Sequence, residues 1–155
     1  MQYLELRHYY LNSGSGLSKY TLTSFDAALI SAGMGNYNLV RVSSILPNNC
    51  IKKDRIDLQE GAPLHVAYST FSYQGPSRII ASAVSVAIPN DNNVGVIMEA
   101  AGLGTKEEYI LRTRDLVREA MDMRGCSRYN ILSSGIEALS KEHMVTTVFS
   151  GLAMW

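Results

Sequence analysis

The protein is 155 residues long, which is enough for one domain with a substantial core and too short for two ordinary domains. Its 14 basic and 14 acidic residues cancel, which argues against a surface for nucleic acid or an anionic membrane. Charged residues make up only 18% of the chain, below the usual quarter, so we expect part of the surface to be buried between subunits.

The cysteines and the N-terminus bear on metal sites and location. Cys50 and Cys126 lack the spacing of a zinc site. Residues 1–7 do not form a leader with a basic segment and an apolar core, and no apolar run reaches the roughly 18 residues of a membrane span. We therefore expect a cytoplasmic protein with reduced thiols and no metal.

Along the chain, alternation predicts a first strand over residues 2–10. The glycine- and serine-rich residues 12–16 predict a flexible loop, since they lack the lysine of a phosphate-binding loop. Apolar spacing predicts a helix over residues 23–32, ended by a glycine, with Thr23 and Asp26 as a capping pair. On this pattern alone, Asp26 is an acid that interacts with the helix dipole.

The stretch from Asn38 to Pro47 is rich in strand-forming residues and contains two adjacent serines, Ser43 and Ser44. Alternation puts Ser44 on an otherwise apolar face, where a buried hydroxyl needs a hydrogen-bond partner or a chemical role. A hydrogen bond to a neighbouring strand is the common explanation. The local pattern does not distinguish a structural hydrogen bond from a chemical role for the Ser44 hydroxyl.

Three further strands are predicted over residues 65–73, 78–88 and 94–101. The middle one is small or apolar throughout, which is typical of a central strand covered on both sides. The third contains an acid, Glu99, on the same face as Ile97. This acid either reaches solvent or an arginine, or is buried beside a reactive centre, where its pKa would rise and it could donate a proton.

Residues 105–108 form a capping box for a helix that runs to about Arg124 and ends at Gly125. Two last strands are predicted over residues 127–137 and 143–154. Six or seven strands with two helices predict a single α+β domain, with the sheets inside and a helix on each outer face.

Six motifs, in this order and spacing, resemble the pyruvoyl-dependent arginine decarboxylase family. They are Phe25-Asp26-Ala27-Ala28-Leu29, Gly33-Met34-Gly35-Asn36-Tyr37-Asn38-Leu39, Arg41-Val42-Ser43-Ser44-Ile45-Leu46-Pro47, Ser85-Val86-Ala87-Ile88-Pro89, Gly95-Val96-Ile97-Met98-Glu99 and Met123-Arg124-Gly125. The resemblance runs from about residue 20 to Trp155. It implies a four-layer αββα sandwich, as in pyruvoyl-dependent histidine and arginine decarboxylases, and homotrimers or dimers of trimers with active sites between neighbouring subunits.

The resemblance also implies that this domain, residues 1–155, cuts itself into a β chain (1–43) and an α chain (44–155). The Ser44 hydroxyl would attack the carbonyl carbon of Ser43 and convert the amide to an ester. Elimination would then leave dehydroalanine at position 44, which hydrolyses to a pyruvoyl group and ammonia. Asn38 would help to hold or polarise the cleaved peptide.

As the resemblance implies, the covalent pyruvoyl group derived from Ser44 serves in place of pyridoxal phosphate, without a metal. It would form a Schiff base with L-arginine, and Glu99 would protonate the carbanion left by CO2 before agmatine is released. A carboxylate suits the planar guanidinium of the substrate. The substrate-binding residues implied by the resemblance are Asp26 for the guanidinium, Leu29 and Ile45 for the aliphatic stem, and Gly35 through its backbone.

Two alternatives stay open from the sequence. A pyruvoyl histidine decarboxylase shares the fold, and Asp26 could also serve histidine. A trimeric scaffold that never cleaves would keep the fold without the chemistry.

Overall fold

The computed structural model describes residues 5–155, which form nine strands and two helices. In chain order these elements are β1 (His8–Ser18), α1 (Thr21–Ser31), β2 (Asn38–Arg41), β3 (Ile45–Leu46), β4 (Ile51–Lys52), β5 (Pro63–Tyr73), β6 (Ile79–Pro89), β7 (Gly95–Leu103), α2 (Lys106–Met123), β8 (Tyr129–Leu139) and β9 (Val145–Met154). The predicted α+β class is confirmed. No helix within residues 5–155 has the length and apolar character needed to span a membrane.

The strands form two sheets, one with the order β2-β5-β9-β1-β4 and one with the order β3-β7-β6-β8. Helix α1 contacts β1 and β9 of the first sheet, whereas α2 contacts β6, β7 and β8 of the second. The two sheets also contact each other, and an apolar core lies between them. This core contains Tyr9, Leu46, Ala67, Val84, Val86, Ile97, Leu152 and Met154.

The prediction of a loop over residues 12–16 is wrong, because this segment lies inside β1 and pairs with β9. The predicted first strand therefore lies several residues too early, and its residues 2–4 fall outside the described part of the chain. The glycines fit a packing requirement: a side chain at Gly14 would overlap the carbonyl oxygen of Ala28 in α1. On the other face, Ser13 exchanges hydrogen bonds of 2.8 and 2.7 Å with Ser134 and Ser150.

Helix α1 begins two residues earlier than predicted, at Thr21, and Thr23 and Asp26 do not cap it. Its N-cap residue is Tyr20, which makes no side-chain capping bond, and the hydroxyl of Thr23 bonds Ser18 at 2.6 Å instead. The predicted end is confirmed, because Gly33 has a positive φ of 78°. Asp26 therefore lies within the helix, where the dipole does not explain its presence.

The structure confirms the predicted central strand and the predicted second helix. The apolar strand β6 lies between β7 and β8, and its residues 80–87 are buried. Thr105 accepts a hydrogen bond from the backbone N–H of Glu108 in the predicted capping box of α2, and Gly125 follows its last turn with a φ of 65°. These elements place β7, with its acid, between β6 and the short strand β3.

Candidate active site

The stretch from Asn38 to Pro47 is two strands in different sheets. β2 pairs with β5 at the edge of the first sheet, and the N–H of Val42 continues this pairing to the carbonyl of Val66 at 3.1 Å. The carbonyl of Ser44 already accepts a hydrogen bond of 2.8 Å from the N–H of Ile97 in the second sheet. The Ser43–Ser44 peptide bond therefore lies where the chain crosses from one sheet to the other.

Glu99 lies on β7, two residues beyond the Ile97 that bonds Ser44. The predicted alternation of this strand is confirmed, since Ile97 packs between the sheets and Val96 packs under α2. Glu99 is half-buried, and its Oε2 atom is buried without a hydrogen-bond partner within residues 5–155. Burial raises the pKa of the Glu99 carboxyl, and the Arg41 guanidinium offsets part of this rise. The carboxyl is therefore suited to donating a proton.

Arg41 is a residue of this region to which the sequence assigned no role. Its Nη2 atom donates a hydrogen bond of 2.8 Å to the carbonyl oxygen of Tyr68, and its guanidinium lies 4.4 Å from the centroid of the Tyr68 ring. Tyr68 in turn packs against Phe25 and Phe149. The cation two residues before the serine pair is therefore held in one place by β5 and by the aromatic cluster under α1.

Two of the predicted substrate-binding residues lie on α1. Asp26 is exposed, and it lies one turn from both Leu22 and Ile30, which are 77% and 61% exposed. Leu29 is only 7% exposed, because it packs in the core under α1. The outer face of α1 thus presents a carboxylate between two large apolar side chains.

Gly35 borders a small cavity of about 170 Å³ at the turn between α1 and β2. A side chain at this position would collide with Ile30, so only glycine fits. The cavity is lined by Ile30, Gly33, Gly35, Asn36, Tyr37 and Glu60. Glu60 was not predicted as a functional residue, since it lies in a polar segment without any motif.

Asn38 is the first residue of β2, and its side-chain amide donates to the carbonyl oxygen of Gly61 at 2.7 Å. Four strand steps, about 13 Å, separate it from Val42, next to the serine pair. Gly35 lies beyond Asn38 at this far end of β2. The eight predicted residues therefore form two groups. Ser43, Ser44, Ile45 and Glu99 lie at the crossing, and Asp26, Leu29, Gly35 and Asn38 lie on α1, in the turn after it and at the start of β2.

Metal and thiol chemistry can be described for residues 5–155. In this part of the chain, no three His, Cys, Asp or Glu side chains are grouped so that they could hold a metal ion. Cys50 and Cys126 are free thiols. Burial raises the pKa of the Cys50 thiol, which donates a hydrogen bond to the carbonyl of Leu6.

Comparison with known proteins gives one consistent result. A family model described as pyruvoyl-dependent arginine decarboxylase matches residues 8–152, so the similarity includes β1 as well as the motifs after Tyr20. The pyruvoyl-dependent arginine decarboxylase of Methanocaldococcus jannaschii is 35% identical over 149 residues, which cover 94% of this chain and 87% of the relative. That of Methanococcus maripaludis is 34% identical over 152 residues, with 94% and 88% covered.

A third relative, from Methanosarcina mazei, is named pyruvoyl-dependent arginine decarboxylase 2; it is 40% identical over 106 residues and covers 65% of this chain and 58% of the relative. The match to the family model spans nearly the whole described chain, and the two longer alignments cover most of each relative. The chain therefore belongs to the pyruvoyl-dependent arginine decarboxylase family.

Proposed function

We propose that the protein decarboxylates L-arginine to agmatine and CO2 with a covalent pyruvoyl group made from Ser44. Membership of the family supplies the reaction class and the cofactor, which needs neither pyridoxal phosphate nor a metal. The observation that carries the proposal is the hydrogen bond from Ile97 to the Ser44 carbonyl, since it fixes residue 44 against the strand that bears Glu99.

The residues at the crossing fit such a group. Residue 44 is anchored through its own carbonyl, which a serine and a pyruvoyl residue share, so conversion of its side chain leaves the anchor intact. Glu99 offers a buried oxygen without a partner within residues 5–155, which is free to face a ligand. The pyruvoyl carbonyl supplies an electron sink for the pair of electrons released with CO2.

The other steps belong to side chains of the protein. Because its pKa is raised, Glu99 keeps its proton to higher pH than an ordinary acid and can deliver it to Cα after CO2 has left. We propose that Asp26 pairs with the guanidinium and that Ile45, which is 38% exposed, covers the aliphatic stem. Leu29 would contact the substrate only through the small part of its side chain that is exposed, and Gly35 would contact it through backbone atoms.

We also propose that the domain processes itself into residues 1–43 and 44–155 by attack of the Ser44 hydroxyl on the Ser43 carbonyl. The peptide bond between Ser43 and Ser44 has a residue on each side that is hydrogen-bonded to a different sheet. Anchoring on both sides is one way of holding a peptide in a reactive geometry. Asn38 would act on this bond through β2, whose start it ties to Gly61.

For the assembly we propose the four-layer αββα sandwich of pyruvoyl-dependent histidine and arginine decarboxylases, and homotrimers or dimers of trimers in the cytoplasm. The helix and sheet contacts support this layering. The distance along β2 supports active sites between subunits, because Gly35 and Ser44 of one chain lie at opposite ends of that strand. The exposed stripe of Leu22 and Ile30 around Asp26 supports a neighbouring copy at α1.

The test is the intact mass of the purified protein. We expect two fragments that correspond to residues 1–43 and 44–155, the larger one blocked at its N-terminus and reactive toward carbonyl reagents, together with release of agmatine and CO2 from L-arginine. Ser44→Ala should give one uncut chain without decarboxylation, because the attacking hydroxyl is gone.

Each alternative gives a different result. A wild-type chain that stays uncut after prolonged incubation would contradict the proposal and favour the scaffold. A cleaved protein that decarboxylates L-histidine better than L-arginine would contradict the proposed substrate.

A further inference from the structure

The cavity beside Gly35 is built from two loops that are bonded to each other. The N–H of Gly61 donates to the carbonyl of Asn36 at 2.7 Å, and the N–H of Asn38 donates to the carbonyl of Ala62 at 3.0 Å. The side chain of Asn36 donates to Oε1 of Glu60 at 2.8 Å. The position of Glu60 is therefore defined by the same contacts that shape the turn after α1.

Within the described part of the chain, the only charged side chain that lines this cavity is negative. Its lining includes one carboxylate, that of Glu60, and no cationic side chain. The ion pairs within residues 5–155 join Arg7 to Glu5, Lys52 to Asp54 and Arg118 to Asp115, so in this part of the chain neither Glu60 nor Asp26 is paired with a cation. A carboxylate held on a concave wall without a counter-charge attracts a cationic ligand.

Ile30 connects this cavity to the exposed carboxylate of α1. It lines the cavity, and it lies one helical turn after Asp26, so the two side chains are neighbours on the helix surface. The Asn36 amide uses one lone pair of Glu60 Oε1 and leaves the other acceptor positions of that carboxylate open. A guanidinium presents five N–H donors in a planar fork, which is more than one carboxylate can satisfy.

We propose that Glu60 is a further specificity-determining residue, a second carboxylate that binds the cationic end of the substrate in the cavity beside Gly35. The inference rests on the proposed function, since it deepens the choice of L-arginine as substrate. Asp26 and Glu60 then flank one guanidinium, with Asn36 holding Glu60 in place. A neutral side chain of the same shape can still donate a hydrogen bond to Glu60 but lacks the charge attraction, so the residue favours arginine over uncharged analogues.

The test separates the charge of Glu60 from its structural role. Glu60→Gln keeps an oxygen that accepts from Asn36 and removes only the charge, whereas Glu60→Ala removes both. In processed protein we expect Glu60→Gln to raise KM for L-arginine about three- to tenfold and to leave kcat unchanged. Asp26→Asn should give a larger rise in KM, and Glu142→Gln, the same change at a distant exposed acid, should give none.

Binding measurements keep the test independent of turnover. Calorimetry should show weaker agmatine binding to Glu60→Gln, with a clearly smaller loss for the analogue that carries a neutral urea in place of the guanidinium. Equal agmatine binding by wild type and Glu60→Gln would overturn the inference, and so would a loss confined to Glu60→Ala, which indicates a structural role. If the wild type binds agmatine but does not decarboxylate L-arginine, the proposed function fails while the role of Glu60 is still decided by the binding series.

Discussion

The positive charge of Arg41 partly offsets the rise in the pKa of the half-buried Glu99 carboxyl. The guanidinium is held by Tyr68 and not by Glu99, so its effect on the carboxyl acts through space. Burial raises the pKa of Glu99, and the cation lowers it. Since only the protonated acid can donate, decarboxylation should decline as the pH rises through the pKa of Glu99.

Replacement of Arg41 by Gln should therefore move the alkaline limb of kcat to higher pH. The positive charge stabilises the carboxylate, so its loss raises the pKa of Glu99 and extends the protonated range. The measurement is kcat against pH for the processed protein, with the processed fraction determined by mass.

Two variants serve as references for this profile. Arg41→Lys keeps the charge and should shift the limb less than Arg41→Gln. Glu99→Gln should still process but decarboxylate slowly and without this limb. A limb that stays in place or moves to lower pH in Arg41→Gln would show that Arg41 does not act on Glu99.

At the scale of elements, β1 and α1 lie closer together than side chains on both would allow. An added Cβ at Gly16 would lie 2.6 Å from the backbone nitrogen of Ala28 and 2.7 Å from the Cβ of Ala27. Neither helix atom can move without shifting α1, and Ser24 of this helix is buried and bonded to Thr147 at 2.7 Å. The glycine therefore sets the spacing between helix and sheet.

We expect Gly16→Ala to lower the free energy of unfolding by about 1–3 kcal/mol, since overpacking at a rigid contact forces the backbone to move. Denaturation midpoints measure the effect. Ser15→Ala, the neighbouring change on the opposite face of β1, should cost less than about 0.5 kcal/mol. Equal midpoints for Gly16→Ala and wild type would mean that α1 can adjust to the larger side chain.

The same elements explain which predictions from the sequence succeeded. β6 and α2 carry their signals locally, as an unbroken apolar run and as a capping box followed by a stripe, so both were predictable. Residues 12–16 have the composition of a turn. They form a strand because β9 pairs with them, and their glycines allow α1 to pack closely against the strand. The pairing partner, β9, lies more than a hundred residues later in the sequence, so the local composition does not indicate it.

The positions of the candidate site residues were predictable only in part. The motifs identified Ser44 and Glu99 as candidates, and the structure brings β3 and β7 together. The crossing between sheets could not be read from the alternation of residues 38–47, because that alternation continues through it. Arg41 and Glu60 acquire their surroundings from β5 and from the turn after α1, so no local pattern marks them.

At the scale of the whole molecule, the outer face of α1 is suited to a subunit contact. Leu22→Glu should reduce the oligomer mass measured by light scattering across a range of concentrations, because it places a charge in the proposed apolar contact. Decarboxylation should fall with it if the active sites lie between subunits. Leu111→Glu is the matched control, since Leu111 is 54% exposed on α2. An unchanged mass for Leu22→Glu would place the contact elsewhere.

The two proposed fragments are interleaved in one sheet. Residues 1–43 supply β1 and β2, and residues 44–155 supply β4, β5 and β9, so β1 lies between two strands of the other fragment. The ladder from Tyr9 to Ser18 along β9 would hold the two fragments together after the proposed cleavage. Folding before cleavage joins segments of one chain, whereas reassembly afterwards needs two molecules to meet and depends on their concentration. The lifetime of the processed protein would then depend on its rate of unfolding, because recovery from the unfolded state becomes slower as the protein is diluted.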